Sequence, residues 1–304
     1  MNLTEKLLRI PASLPLGVLY PLATVGAGVL HHIVRYRRGI IRKNLRDCFP
    51  DKTEKELRHI EHDFYHRFAD YTVETLKLMH VSDSEMRRRM QFENLDIIDR
   101  HLSAGRSVAV YFSHTFNWEW APAISLHSAM KPSDKVKFAQ IYRPLKSKKF
   151  DNIMLRLRGR FHSVSIPKAH TARTLLDWRK QGIVSVTGFM SDQHPGHGDG
   201  GTPAVLLGRP SMMISGTEAL ARKLGMAVVF WDMRRVARGH YIINVKEITP
   251  DASAEPEHSI TQTYTRLLEE NIRRDPSLWL WSHNRWKHPL TSEQIQTAYD
   301  HASI

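Results

Sequence analysis

Hydrophobic and polar positions divide the chain into three kinds of segment. Residues 10–34, IPASLPLGVLYPLATVGAGVLHHIV, hold no Asp, Glu, Lys or Arg. That length approaches the roughly 20 apolar residues that cross a bilayer. Pro11, Pro15 and Pro21 oppose one straight helix through all of it. The run predicts a membrane-embedded or membrane-dipping hairpin or helix; a buried core helix is the plain alternative. A cleaved signal peptide matches poorly, because the small residues at 23–27 lead into more apolar sequence and then a basic block. Residues 53–80 read as helix. Thr53 and Glu56 make a capping box, and Leu57, Ile60, Phe64, Phe68, Tyr71 and Leu78 recur at helical steps.

Beyond residue 100 the pattern changes to short runs rich in β-branched and aromatic residues, at 107–112, 136–142, 161–166, 183–190, 226–231 and 240–248. Helical patterns lie between them near 118–130, 146–160, 169–181 and 213–224, and a long one follows at 257–274. Alternating strands and helices predict an α/β fold with a mostly parallel central sheet flanked by helices. The economical division is an apolar membrane-associated segment at 1–34 and one domain at 35–304. Within that domain 35–100 is a helical lead-in and 101–304 the α/β core.

Charge adds a partner class. Lys and Arg total 44 against 31 Asp and Glu, for a net charge of +13. The partners this favours are nucleic acid, an anionic membrane lipid surface or an acidic protein. Arg35, Arg37, Arg38, Arg42 and Lys43 directly abut the apolar run. That position suits an anionic leaflet and puts everything after it on the cytoplasmic side. No zinc-finger or RRM-like signature supports nucleic acid. The single cysteine, Cys48, excludes an intramolecular disulfide framework and a CxxC pair.

The chemistry concentrates in SVAVYFSHTFNWEW, residues 107–120. A strand ends at Phe112, His114 follows, and Glu119 comes five residues later. Strand carboxyl ends are where open α/β sheets gather reacting groups. A histidine there can act as general base, and a carboxylate on its far ring nitrogen would fix the tautomer. On a continuous helix the two would stand about 140° apart, so they meet only if the segment bends. By itself, H-x4-E arises easily by chance among 18 histidines.

The neighbouring blocks are more specific. YRRGIIRKNLRDCFPDKTEKEL carries Asn44, Leu45, Phe49 and Pro50, and SHTFNWEW carries His114, Asn117, Trp118 and Glu119. QIYRPLKSKKFD carries Tyr142, Arg143 and Pro144, and MSDQHPG carries Asp192 and Gln193. GRPSMMISGTEALARKLGMAVV follows, and WLWSHNRWKH closes with Trp281, His283, Arg285 and Lys287. In this order the blocks resemble the late acyltransferases of lipid A biosynthesis, the lauroyl and myristoyl transferases. These lie within the wider H-x4-D/E superfamily of glycerolipid and lysophospholipid acyltransferases. The sequence departs from the family at Val205–Leu206–Leu207–Gly208, in the Gly- and His-rich stretch 194–203, and at Asn284.

The resemblance implies a membrane-bound O-acyltransferase on the cytoplasmic face of a bacterial inner membrane, with a single-pass or monotopic amino-terminal anchor. It would move a fatty acyl chain from acyl carrier protein, or acyl-CoA, to a hydroxyl of a lipid A precursor or similar anionic glycolipid. A lysophospholipid or aminolipid acceptor is the nearest rival. A membrane-binding protein that keeps the fold without catalysis is a rival of another class. His114 would be the base and Glu119 its orienting partner. Arg143 would bind phosphate or the oxyanion, and Asp192 would pair with Arg143 or contact the acceptor. Gln193, Asn117, Arg285 and Lys287 complete the expected substrate-binding set. No cofactor is expected, and no metal, since His194, His197 and Asp199 share one glycine-rich loop without a supporting motif. The distance of Cys48 from the motif speaks against an acyl-cysteine intermediate. The basic stretch Lys146, Lys148, Lys149, Arg156, Arg158 and Arg160, with Arg87, Arg88 and Arg89, is a candidate dock for anionic lipid or the acidic carrier protein.

Overall fold

A computed structural model of the chain describes residues 3–196 and 199–302. Helices α1 (Leu3–Ser13) and α2 (Leu16–Gly28) run into a π-helical turn at Val29–Ile33. Pro15 breaks the run between α1 and α2 in an extended conformation, while Pro21 sits inside α2. Then come α3 (Arg38–Cys48), α4 (Glu54–Lys77), α5 (Asp83–Arg89) and β1 (Met90–Glu93), so the lead-in contributes a strand as well as helices. The capping box at Thr53 forms, with Glu56 Oε2 accepting from the Thr53 backbone N–H at 2.8 Å.

The remaining order is α6 (Asp96–Ser103), β2 (Val108–Phe112), α7 (Ile124–His127), β3 (Val136–Tyr142), α8 (Lys148–Arg158), β4 (Ser163–Pro167), α9 (Thr171–Lys180) and β5 (Val184–Met190). It ends with β6 (Gly201–Leu206), β7 (Arg209–Ile214), α10 (Gly216–Leu224), β8 (Ala227–Ala237), β9 (His240–Thr249), α11 (Ser259–Arg274) and α12 (Ser292–Ala302). The fold is α/β, as the strand–helix alternation predicts. Seven strands form one sheet in the order β1-β9-β8-β2-β5-β3-β4, and only the β8–β9 pair is antiparallel. All five residues of the central β2 are buried, as a strand covered on both faces requires.

Two expected helices came out differently. The 118–130 pattern is a 3-10 turn, Trp118–Ala123, followed by the single-turn α7, because Pro122 lacks the N–H a longer helix needs. The 213–224 pattern starts late, at Gly216, because 201–214 is a two-stranded hairpin, β6–β7. Its two-residue turn puts both Leu207 (φ 55°) and Gly208 (φ 72°) in the left-handed region, the geometry a twisted hairpin needs.

The amino-terminal helices pack on the domain. Leu16, Leu19, Ala23 and Ala27 are buried, and α2 lies along α4. The joint is polar. Glu74 is fully buried on α4 and accepts from Tyr20 Oη of α2 at 3.0 Å, Asn117 Nδ2 at 3.0 Å and Tyr241 Oη of β9 at 2.8 Å. Burial pushes its carboxyl up to about 7, against the three donors. Much of the basic block after the apolar run is used internally: Arg38 and Arg42 both reach the buried Glu61, at 3.2 and 2.8 Å.

Candidate active site

β2 and β5 are parallel neighbours with Phe112 opposite Met190. His114 and Asp192 each stand two residues past those partners, at the carboxyl ends of the strands. Equal offsets beyond a parallel pair stay adjacent, and the side chains meet: His114 Nδ1 is 2.8 Å from Asp192 Oδ1. The His114 backbone N–H donates to Asp192 Oδ2 at 3.1 Å, and the Trp279 indole N–H donates to the same oxygen at 2.8 Å. Asp192 is buried. Burial alone would raise its carboxyl, but the His114 ring, the hydrogen bonds from His114 and the Trp279 indole hold it below the usual carboxylate range. An ionised carboxylate only accepts, so Nδ1 carries a proton and, in the neutral ring, Nε2 carries the free lone pair. That Nε2 is 3.3 Å from Gln193 Nε2, and the ring packs edge-on against Trp118 at 5.0 Å between centroids.

The expected contact between Glu119 and His114 is not made among the described residues. Glu119 is held instead by Arg158 of α8, whose Nε and Nη2 donate at 2.8 and 2.6 Å, and by the Trp118 indole at 3.2 Å. The backbone explains it. Thr115 bridges to Trp279, and Asn117 then caps the 3-10 turn by accepting the Glu119 N–H at 3.1 Å. The turn carries the carboxylate to α8, away from the imidazole. Asn117, expected to contact substrate, is fully buried, with its side-chain amide divided between the Glu119 N–H and Glu74.

Arg143 is exposed just past the end of β3. It does not pair with Asp192, whose oxygens serve His114 and Trp279. Lys287 is exposed, but Arg285 is only 1 % exposed. Arg285 donates to the Met212 carbonyl at 3.0 Å and touches Met213 sulfur, while its Nε and Nη1 lack protein partners. Burial drops its guanidinium to about 10, and drops the neighbouring His283 to about 4, so His283 is neutral near pH 7. Cys48 is buried, and burial pushes its thiol up to about 12, which leaves no nucleophilic thiolate at neutral pH. Asp199 pairs with Lys168 at 2.5 Å; His197 lies outside the described residues.

Sequence reasoning missed Trp279 and Glu74, and read Arg158 only as one of a basic series. The signal for the His114–Asp192 pair was present: both residues follow strand-like runs. Joining them needed the knowledge that those two strands are neighbours. Of the basic stretch, Arg158 and Arg156 are taken up by Glu119 and Glu5, and Arg160 by the Leu78 and Val81 carbonyls. Lys146, Lys148 and Lys149 stay exposed beside Arg143.

The family described as bacterial lipid A biosynthesis acyltransferase matches residues 3–288. The lipid A biosynthesis palmitoleoyltransferase of Escherichia coli (strain K12) is 25% identical over 279 residues, covering 90% of this chain and 86% of the relative. A lipid A biosynthesis acyltransferase of Shigella flexneri shows the same identity and coverage.

Proposed function

Because the chain belongs to the bacterial lipid A biosynthesis acyltransferases, we propose that it moves a fatty acyl chain from the thioester of acyl carrier protein to a hydroxyl of a lipid A precursor. The reaction takes place at the cytoplasmic face of the inner membrane. His114 is the general base. Its Nε2 removes the acceptor hydroxyl proton as the oxygen attacks the thioester carbonyl. The tetrahedral intermediate collapses, the C–S bond breaks, and the leaving thiolate takes the proton from Nε2. Asp192 keeps the other ring nitrogen protonated and stabilises the imidazolium that forms between the two steps. The 2.8 Å contact between His114 Nδ1 and Asp192 Oδ1 carries this reading.

Gln193 stands where the hydroxyl must arrive. Once displaced from Nε2 by the acceptor, its amide is placed to donate to the developing oxyanion. Glu119 has a positioning role: with Arg158 it clamps the turn that follows His114. Arg143, with Lys146, Lys148 and Lys149, gives the strand-end face a positive surface for a phosphorylated acceptor or an acidic carrier. Trp118, edge-on to His114 and backed by Tyr71 and the buried Phe116, offers an apolar surface beside the base for the acyl chain.

The test is acyl transfer in vitro with purified protein, acyl carrier protein thioester and lipid A precursor, paired with mass spectrometry of lipids from a strain lacking the gene. Transfer by the wild type, its loss in His114→Ala, and a lipid A species one chain short in the deletion strain are expected. Undiminished transfer by His114→Ala, or a deletion strain whose only altered lipid is a phospholipid, would overturn the reading.

A further inference from the structure

The helical run Leu16–Ile33 is long and apolar enough to cross a membrane by length and composition. At 1.5 Å per residue it measures about 27 Å. Its two faces differ sharply. Val18, Leu22, Val25, Val29 and Ile33 are 40–75% exposed, and Val18, Leu22 and Val25, all within α2, fall within an arc of about 60° at 100° per residue. Leu16, Leu19, Ala23 and Ala27 lie on the roughly opposite face and are buried. Leu7 and Ile10 of α1, and Leu14 just after it, are exposed as well. The amino-terminal 34 residues thus carry nine of the fifteen exposed large hydrophobic side chains among the described residues.

Charged groups of the domain tie the amino-terminal helices down at both ends and in the middle. At one end Lys77 Nζ donates to the carbonyls of Ala12 and Leu14 at 3.3 and 2.9 Å. At the other, His31 Nε2 is 3.0 Å from Glu61. In the middle, Arg238 donates to the Tyr20 carbonyl and Thr24 Oγ1, both at 3.0 Å, and its guanidinium lies 4.5 Å over the Tyr20 ring. Arg238 also pairs with Asp70, which Arg235 reaches as well. If the run crossed a bilayer, this partly exposed Arg–Asp–Arg cluster would sit at the midplane, where charged groups are most costly.

We propose that residues 3–33 lie in the plane of an anionic membrane and press the exposed stripe into the headgroup–acyl boundary without crossing it. Exposed Lys6 and Arg9 at one end and Arg35 at the other place positive charge beside the stripe, where anionic headgroups would meet it.

Depth measurement on the full chain tests it. Leu7→Cys, Leu22→Cys, Val25→Cys and Ile33→Cys are spin-labelled and reconstituted into phosphatidylethanolamine–phosphatidylglycerol vesicles; Cys48 is buried. Collision with oxygen and with a water-soluble nickel chelate reports depth. All four labels are expected at one shallow level, about 5–10 Å into the boundary. In cells, Ser13→Cys and Arg35→Cys are expected to react with an impermeant maleimide only from the cytoplasmic side. Labels at 22 and 25 near the midplane, with 13 and 35 reactive from opposite sides, would overturn the proposal. So would spin–spin broadening at the stripe with no lipid contact, which would assign the face to a second copy of the chain. His114→Ala is expected to abolish transfer without moving any label, so failure of the enzymatic reading is read separately.

Discussion

Asp192 meets the His114 imidazole and Glu119 is held by Arg158, where the motif spacing points to Glu119 alone as the partner of His114. Asp192→Asn can no longer hold the productive tautomer of His114, and kcat should fall about 10²–10⁴-fold with KM little changed. Steady-state kinetics with a thioester donor checks this, and an unchanged kcat would remove Asp192 from the mechanism. Glu119→Gln should act first on stability. It leaves Arg158 partly buried without its partner, a loss on the order of 3–5 kcal/mol. Glu119→Gln with Arg158→Met should recover part of that loss, because the two changes share one interaction. Denaturant unfolding of the wild type, the two single variants and the double variant measures it; strict additivity would show that the pair is not coupled. His114 was legible from its place after a strand. Its partner was not, because 78 residues separate them and only strand adjacency brings them together.

At the scale of elements, α4 is the piece on which the site and the amino-terminal helices both rest. Its apolar stripe was readable, since Leu57 and Phe64 are buried as the spacing requires. Its buried acids were not, because Glu61, Asp70 and Glu74 look like a solvated face until their partners arrive from α2, α3 and β8–β9. Glu74 makes a pH prediction. Its folded-state carboxyl is raised to about 7, above the ordinary glutamate value. The stability tied to its protonated form is therefore full below pH ~4.5 and is lost as pH rises to ~7, where the unfolded chain is already ionised. Thermal melts of wild type and Glu74→Gln across pH 4.5–8 should converge at the acid end. Wild type should lose stability relative to the variant as pH rises; parallel curves would refute the raised value. The hairpin β6–β7 was missed because Gly, Pro and the Leu207–Gly208 turn hide its alternation.

For the whole molecule, α1 and α2 pack onto the folded domain while keeping an apolar stripe exposed. Removing residues 1–34 uncovers the α4 face and takes Tyr20 from Glu74, His31 from Glu61 and the two carbonyl acceptors from Lys77. The truncated protein should be unstable and aggregate, and should not emerge as a soluble active core. Size-exclusion chromatography and a thermal melt decide this; a cooperative, active monomer would contradict it.

The sequence by itself determined the α/β class, the strand-end histidine, the apolar amino terminus and the positive charge. Each follows from local pattern, such as side-chain periodicity, a capping box or a run without charges. Tertiary structure decided which carboxylate faces His114, that Glu119 and Asn117 are committed to internal contacts, that Arg285 is buried, and which face of the apolar run stays exposed. Those outcomes depend on which strands and helices become neighbours. Neighbours far apart in sequence are chosen by the packing of the whole core, which no local pattern encodes.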